Sequence, residues 1–184
     1  MEVLKMTRKE ERIQRAIQYA NEAQVESFNC GQGSLAGLLK EFKEDIGITD
    51  IEADALLKAN SKTWGLGGHG GTCGTVQGPI HFLGYVYGEN QTGTPFNMAA
   101  TMKMLKRVNV ITEFTEKILK ERGSTNCRDF HIQMFQKYFD LNTPEGLAGY
   151  NKASAIEGCK KMAAFTVRTA LELILNEDGT LKKF

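Results

Sequence analysis

The sequence predicts an all-α fold, a single-domain helical bundle with a glycine-rich loop before a central helix. Apolar residues recur at intervals of three and four along several segments, and good capping residues stand in front of them. No alternating strand pattern and no internal repeat appears. With 184 residues, 41% apolar and 24% charged side chains and three prolines, the chain is long enough to bury a core without metals or disulfides. One domain over residues 1–184 is expected.

In chain order, Thr7 and Glu10 have capping-box spacing, and Ile13, Ile17 and Ala20 continue a first helix near residues 8–26. After Asn29, the run Leu35, Leu38, Leu39 and Phe42 marks a second helix, weakened in its first turn by Gly31 and Gly33. Asp50 can cap a third, carrying Ala53, Leu56 and Leu57 and ending before Trp64. A glycine loop follows, ten of the nineteen glycines lying between Gly65 and Gly93. From Cys73 to Tyr87 periodicity alone fits strand or helix. Gly74, Gly78 and Gly84 suit close helix packing, so a helix kinked at Pro79 is expected. Beyond a loop from Gly88 to Pro95, Met102, Leu105, Val108, Ile111, Phe114 and Ile118 line one face of a long core helix that Gly123 stops. A short helix is expected at Cys127, a polar linker with a turn of helix after Thr143-Pro144 from Asp140 to Gly158, and a last helix near residues 157–175.

Twenty-three basic and 22 acidic side chains leave a formal charge of +1, which gives no field to recruit nucleic acid. The longest apolar stretch, around Ile80 to Tyr87, is broken by His81 and Gly84 and falls far short of the roughly 20 residues of a membrane helix, so no membrane insertion is expected. Residues Met1 to Arg12 are dense in charge and lack an export segment, and a cytoplasmic location follows as the expectation. In that compartment thiols stay reduced, which moves weight from structural disulfides toward ligation or redox chemistry.

Cys30, Cys73, Cys127 and Cys159 are 43, 54 and 32 positions apart, so no CxxC announces a zinc ribbon, a dithiol motif or a c-type haem. Each follows a residue that can open a helix: Asn29, Thr72, Asn126 and Gly158. A thiolate there feels the positive helix end and unpaired N–H groups, which lower a thiol from about 8.5 toward neutrality. Cysteine is also a small, often buried apolar residue, and composition alone favours that reading. Against it, these four sit beside helix-start or glycine signals, although Ala155, Ile156 and Ala163 could enclose Cys159 in a continuous helix.

Gly65 to Gly70 matches GxGxxG literally but has no strand before it and no βαβ unit around it, so a nucleotide site is not expected. Its backbone could instead surround a sulfur-rich centre or form a plain surface turn. His69, four residues before Cys73, and His131, four after Cys127, could each complete a mixed Cys/His site, though a lone histidine is more often a surface or hydrogen-bonded side chain. His81 reads as packing and Met98, Met102 and Met104 as core filler. No Ser/His/Asp set or carboxylate pair supports hydrolysis.

Four segments together resemble the C_GCAxxG_C_C family, a group named for its cysteine pattern and described as redox-active. They are Asn29-Cys30-Gly31-Gln32; Gly67-Gly68 leading to Cys73-Gly74-Thr75-Val76-Gln77-Gly78; Gly123-Ser124-Thr125-Asn126-Cys127-Arg128-Asp129-Phe130; and Gly158-Cys159. The resemblance runs from about Glu26 to Leu173. It implies an all-helical fold in which the separated cysteines converge for redox work by thiols or a bound metal centre, and similar segments occur in a related cytochrome that also holds an iron–sulfur centre. It implies no particular substrate. Thr75 stands where the family usually has alanine, Gly31 and Gly33 replace small helix formers, and Gln133 to Glu157 is longer than usual.

The expectation is a redox-active protein in which Cys30, Cys73, Cys127 and Cys159 form one site. They serve either as ligands of an iron–sulfur cluster for electron transfer, with Gly67, Gly68, Gly74 and Gly78 around the cofactor, or as a thiol/disulfide pair system. A helical binding module with incidental or structural, zinc-binding cysteines is the alternative from another class. The redox partner is unknown, and a homodimer is left open.

Overall fold

The computed structural model describes residues 6–61, 64–88 and 98–183. Among them the chain forms nine helical segments and no strand: α1 (Arg8–Ser27), α2 (Cys30–Ile46), α3 (Asp50–Ala59), the single turn α4 (Gly65–Gly68), α5 (Gly74–Tyr87), α6 (Met98–Arg122), α7 (Cys127–Phe135), α8 (Pro144–Lys152) and α9 (Ala155–Ile174). The all-α bundle and its glycine-rich segment ahead of α5 are as the periodicity indicates.

Helices α1, α2, α5 and α9 form the packed centre, with α6 against α5 and α9. Helix α1 closes on α2 where side chains are smallest: a Cβ on Gly37 would stand 2.5 Å from the Ala16 carbonyl oxygen and the Ala20 amide nitrogen. The main core gathers Ile13, Leu35, Leu38, Phe42, Phe82, Phe114, Phe130 and Leu171, all essentially without solvent contact. A second, smaller cluster of Phe139, Tyr150 and Ala155 forms where α7, α8 and α9 meet.

Several element boundaries differ from the sequence reading, each for a local reason. Thr49, not Asp50, caps α3, because Thr49 and Glu52 complete a reciprocal capping box. The expected linker from Asp140 to Gly158 contains α8, started by the Thr143 hydroxyl accepting the Gly146 N–H at 3.0 Å with Pro144 in the first turn. Ser154, held at φ 49°, turns the chain so that α9 begins at Ala155. Helix α5 runs through Pro79. Gly84 has open space where a Cβ would be and is not a packing notch. The buried stripe of α6 is Val110, Phe114 and Ile118, with Ile111 packed partly against it. Met98 and Met102 are exposed by 76% and 52%, so they are not core filler. The side chains of Met104, Leu105 and Val108 and most of the expected loop from Gly88 to Pro95 lie outside the described residues.

Polar ties between the ends of the chain brace the bundle. Arg168 on α9 grips the Glu10 carboxylate of α1 with two hydrogen bonds, 2.6 and 2.9 Å, and that pairing lowers the Glu10 carboxyl to about 2. A depressed carboxyl stabilises the fold above its unfolded pKa, and the stabilisation disappears as pH falls through the folded value. The α1–α9 brace is therefore expected to weaken between about pH 4.5 and 2. Urea midpoints measured across this range should fall more steeply for the parent than for Arg168→Met.

Candidate functional site

The cysteines reach one place because four different helices deliver them. Asn29 fixes the start of α2: its side-chain oxygen accepts the Gly31 and Gln32 N–H groups at 3.0 Å each, and its amide donates to the Ser61 carbonyl at 2.6 Å. Cys30 thus becomes the first residue of α2. Cys73 and Cys127 are set side by side by an isolated antiparallel bridge between Thr72 and Asn126. The Cys73 N–H donates to the Thr125 carbonyl at 2.8 Å, and the Cys127 N–H donates to the Gly71 carbonyl at 2.8 Å.

The capping expectation holds for Asn29 and changes at the other three positions. Cys73 is itself the N-cap of α5, since Thr72 is committed to the bridge. Asn126 occupies the N-cap of α7 without a side-chain capping bond, its own N–H being held by Ser124 at 3.0 Å. Cys159 lies inside α9 rather than at its start, and Gly158 before it is a packing notch, where a Cβ would meet the Phe135 ring at 2.5 Å.

All four cysteines are free, and all four line one cavity of about 500 Å³. Cys73 and Cys127 are buried, Cys30 and Cys159 half-buried. The walls come from both apolar clusters and include Trp64, Phe130, Met134, Leu141, Leu147, Tyr150, Ile156 and Met162. Among the described residues no Lys, Arg, Asp or Glu side chain lines it.

Cys73 is the electrostatic centre. Hydrogen bonds from Cys127 and then Cys30 hold its thiol well below the ordinary range against the opposing cost of burial, and Thr75, whose hydroxyl lies 3.2 Å away, adds to the effect. The same bonds push Cys30 and Cys127 up, with burial adding to the rise. Burial raises Cys159 to about 12, opposed by its hydrogen bond with Tyr150. Cys73 is thus the member of the group whose surroundings favour the thiolate.

His131 joins the site and His69 does not. His69 is exposed beyond the end of α4. His131, 2% exposed, places Nε2 3.8 Å from the Cys127 sulfur and 3.9 Å from that of Cys159. The rings of Phe135, Tyr138, Phe139 and Tyr150 surround it at 5.6–5.9 Å between centroids, and burial lowers its pKa, which keeps it neutral. Gly74 and Gly78 sit where α5 meets α2: a Cβ on Gly74 would lie 2.6 Å from the Cys30 sulfur, and one on Gly78 2.7 Å from the Gly31 carbonyl oxygen. Gly67 and Gly68 are not on the cavity wall, and Gly68 packs on Asn142. Gly65 takes their place beside the sulfurs, 3.5 Å separating its would-be Cβ from the Cys127 sulfur.

Gly74→Ala is expected to part α2 from α5, costing about 1–3 kcal/mol in a denaturant titration and speeding alkylation of Cys30 by a small reagent. Sequence reasoning missed Gln24, Trp64, Tyr150 and Met162 on the wall. Gln24, Tyr150 and Met162 stand on helices where such residues read as core, Trp64 precedes the single turn α4, and nothing local distinguishes a cavity from a filled interior.

No curated protein and no solved structure matches the chain significantly. No helix among the described residues is long and apolar enough to cross a membrane. A family model described as "Putative redox-active protein (C_GCAxxG_C_C)" matches residues 28–173, from the end of α1 to the last turn of α9 and across all four cysteines, and the chain belongs to that family.

Proposed function

We propose that Cys30, Cys73, Cys127 and Cys159 form one redox centre whose four thiolates hold an iron–sulfur cluster for electron transfer. One observation carries this reading: α2, α5 and α7 all begin at the cavity, α2 and α7 on a cysteine and α5 capped by one, where no cationic side chain stands among the described residues. Three positive helix ends are suited to offset the negative charge of a thiolate-bound centre.

The donor set also fits the chemistry. Four sulfurs and a neutral imidazole select soft metals over Mg²⁺ or Ca²⁺. Among the described residues no three His, Cys, Asp or Glu side chains are gathered tightly enough to hold one metal ion. Structural zinc sites usually draw their ligands in closely spaced sequence pairs, and these four cysteines supply none. When bound, the cluster supplies a one-electron couple. The protein's part is to orient the sulfurs through the Thr72–Asn126 bridge, to hydrogen-bond Cys73 from Thr75, and to keep water away with Trp64, Phe130, Leu141 and Leu147.

A second reading is favoured by the placing of Cys73 between Cys127, across the Thr72–Asn126 bridge, and Cys30, at the α2–α5 contact. In it, Cys73 with either neighbour cycles between dithiol and disulfide, giving up two protons and two electrons to a two-electron acceptor.

Protein purified without oxygen distinguishes these readings. The cluster predicts visible sulfur-to-iron absorption with stoichiometric iron and acid-labile sulfide. The dithiol predicts a colourless, metal-free protein that loses two thiols on mild oxidation. Four inert, metal-free thiols would sink both and leave a helical binding module.

A further inference from the structure

We propose that the cavity beside the sulfurs binds an uncharged, flat heteroaromatic ring whose edge carries a carbonyl next to an N–H, the lactam edge found on flavin- and pterin-type rings. The cavity, about 500 Å³, lies in the range of small-molecule sites, roughly 300–1,000 Å³. Its walls offer Phe28, Trp64, Leu147, Tyr150 and Met162 to the faces of a ring. Since no charged side chain lines it among the described residues, a phosphate or carboxylate would be desolvated there without a counter-ion.

The polar specificity comes from Gln24. This side chain is on the cavity wall and 1% exposed, yet neither its amide nitrogen nor its amide oxygen has a hydrogen-bond partner. Buried polar groups in native proteins are almost always paired, so an orphaned carboxamide next to a cavity is a recognition group awaiting its complement. The group that satisfies both atoms at once is a lactam: Gln24 Nε2–H donates to the ring carbonyl, and the ring N–H donates to Gln24 Oε1. The Nδ1 atom of His131, also on the wall and without a partner, supplies a third polar contact for a ring substituent. This inference does not depend on whether the sulfurs hold a cluster or exchange disulfides.

The chain contains one tryptophan, and it is the wall residue Trp64. Anaerobically purified full-length protein titrated with lumiflavin should show saturable, single-site quenching of its fluorescence. Lumiflavin methylated at the lactam nitrogen should bind at least tenfold more weakly to the unaltered chain, and riboflavin phosphate no more tightly than lumiflavin. Gln24→Leu, with thiol count and helix content like the parent's, should lose the same factor for lumiflavin and no longer distinguish the methylated ring. Unsaturable quenching, equal affinity for the methylated ring, or tighter binding of the phosphorylated one would each overturn the proposal. Thiol and iron content are read separately, so failure here is distinct from failure of the redox centre.

Discussion

On the iron–sulfur reading, Cys73→Ser is expected to abolish the visible absorption and bound iron of anaerobically purified protein while lowering its stability by only about 1 kcal/mol. On that reading Cys73 is the middle member of the group, set beside Cys127 by the Thr72–Asn126 bridge and beside Cys30 by the close approach at Gly74, so its loss opens the centre of the site. The fold has less at stake. Cys73 is the N-cap of α5, a position where serine is among the best residues, and the hydroxyl keeps Thr75 as a partner. Phe114→Ala, by contrast, empties a fully buried ring position and should cost about 3–5 kcal/mol with the iron content of the folded fraction unchanged. Iron, sulfide and denaturant midpoints measured on both variants separate a site residue from a core residue. Parent-like iron in Cys73→Ser would place the centre elsewhere.

How the sequence encodes this cysteine-lined cavity can be followed residue by residue. Asn29 before Cys30 is legible because a cap acts on N–H groups two and three positions away, and the structure uses it in that way. The roles of Thr72 and Asn126 are not legible, since each pairs with a segment more than fifty positions distant and the bridge exists only after folding. Gly74 and Gly78 announce a close approach, but only the fold reveals that the approaching group includes the Cys30 sulfur. Gly67 and Gly68 lie a few positions off the cavity wall: the chain turns at α4, and Gly65 and Gly71 meet Cys127. His131 is drawn in because α7 places it one turn after Cys127. Gln24 left no signal, for a buried glutamine on the inner face of α1 looks like any amphipathic helix residue until its missing partners are seen.

Arg12→Met is expected to have the opposite signature, a loss of about 3 kcal/mol with the sulfur centre intact. The guanidinium is largely buried, and neither it nor its partners line the cavity of the cysteines. It bonds Glu41 at 2.9 Å, Asp45 at 3.1 and 2.5 Å, and the carbonyls of Glu41 and Gly179 at 3.0 Å, and it stacks 4.2 Å from the centre of the Phe42 ring. Methionine keeps the apolar stem over Phe42 and removes every hydrogen bond. Breaking a buried ion pair by deleting one partner typically costs about 3–5 kcal/mol, because the surviving charge is left unpaired. Here the lower end applies: Arg15 still holds Glu41 at 2.7 Å, and the half-exposed Asp45 can turn to water. Asp45 owes its depressed pKa first to the Arg12 hydrogen bonds, so its stabilisation is present above the unfolded carboxyl range and lost as pH falls through the folded value. Arg12→Met should therefore lower the urea midpoint most at neutral pH and progressively less toward acid. A variant whose deficit stays constant with pH would show that the stacking on Phe42, and not the ion pairs, is what Arg12 contributes.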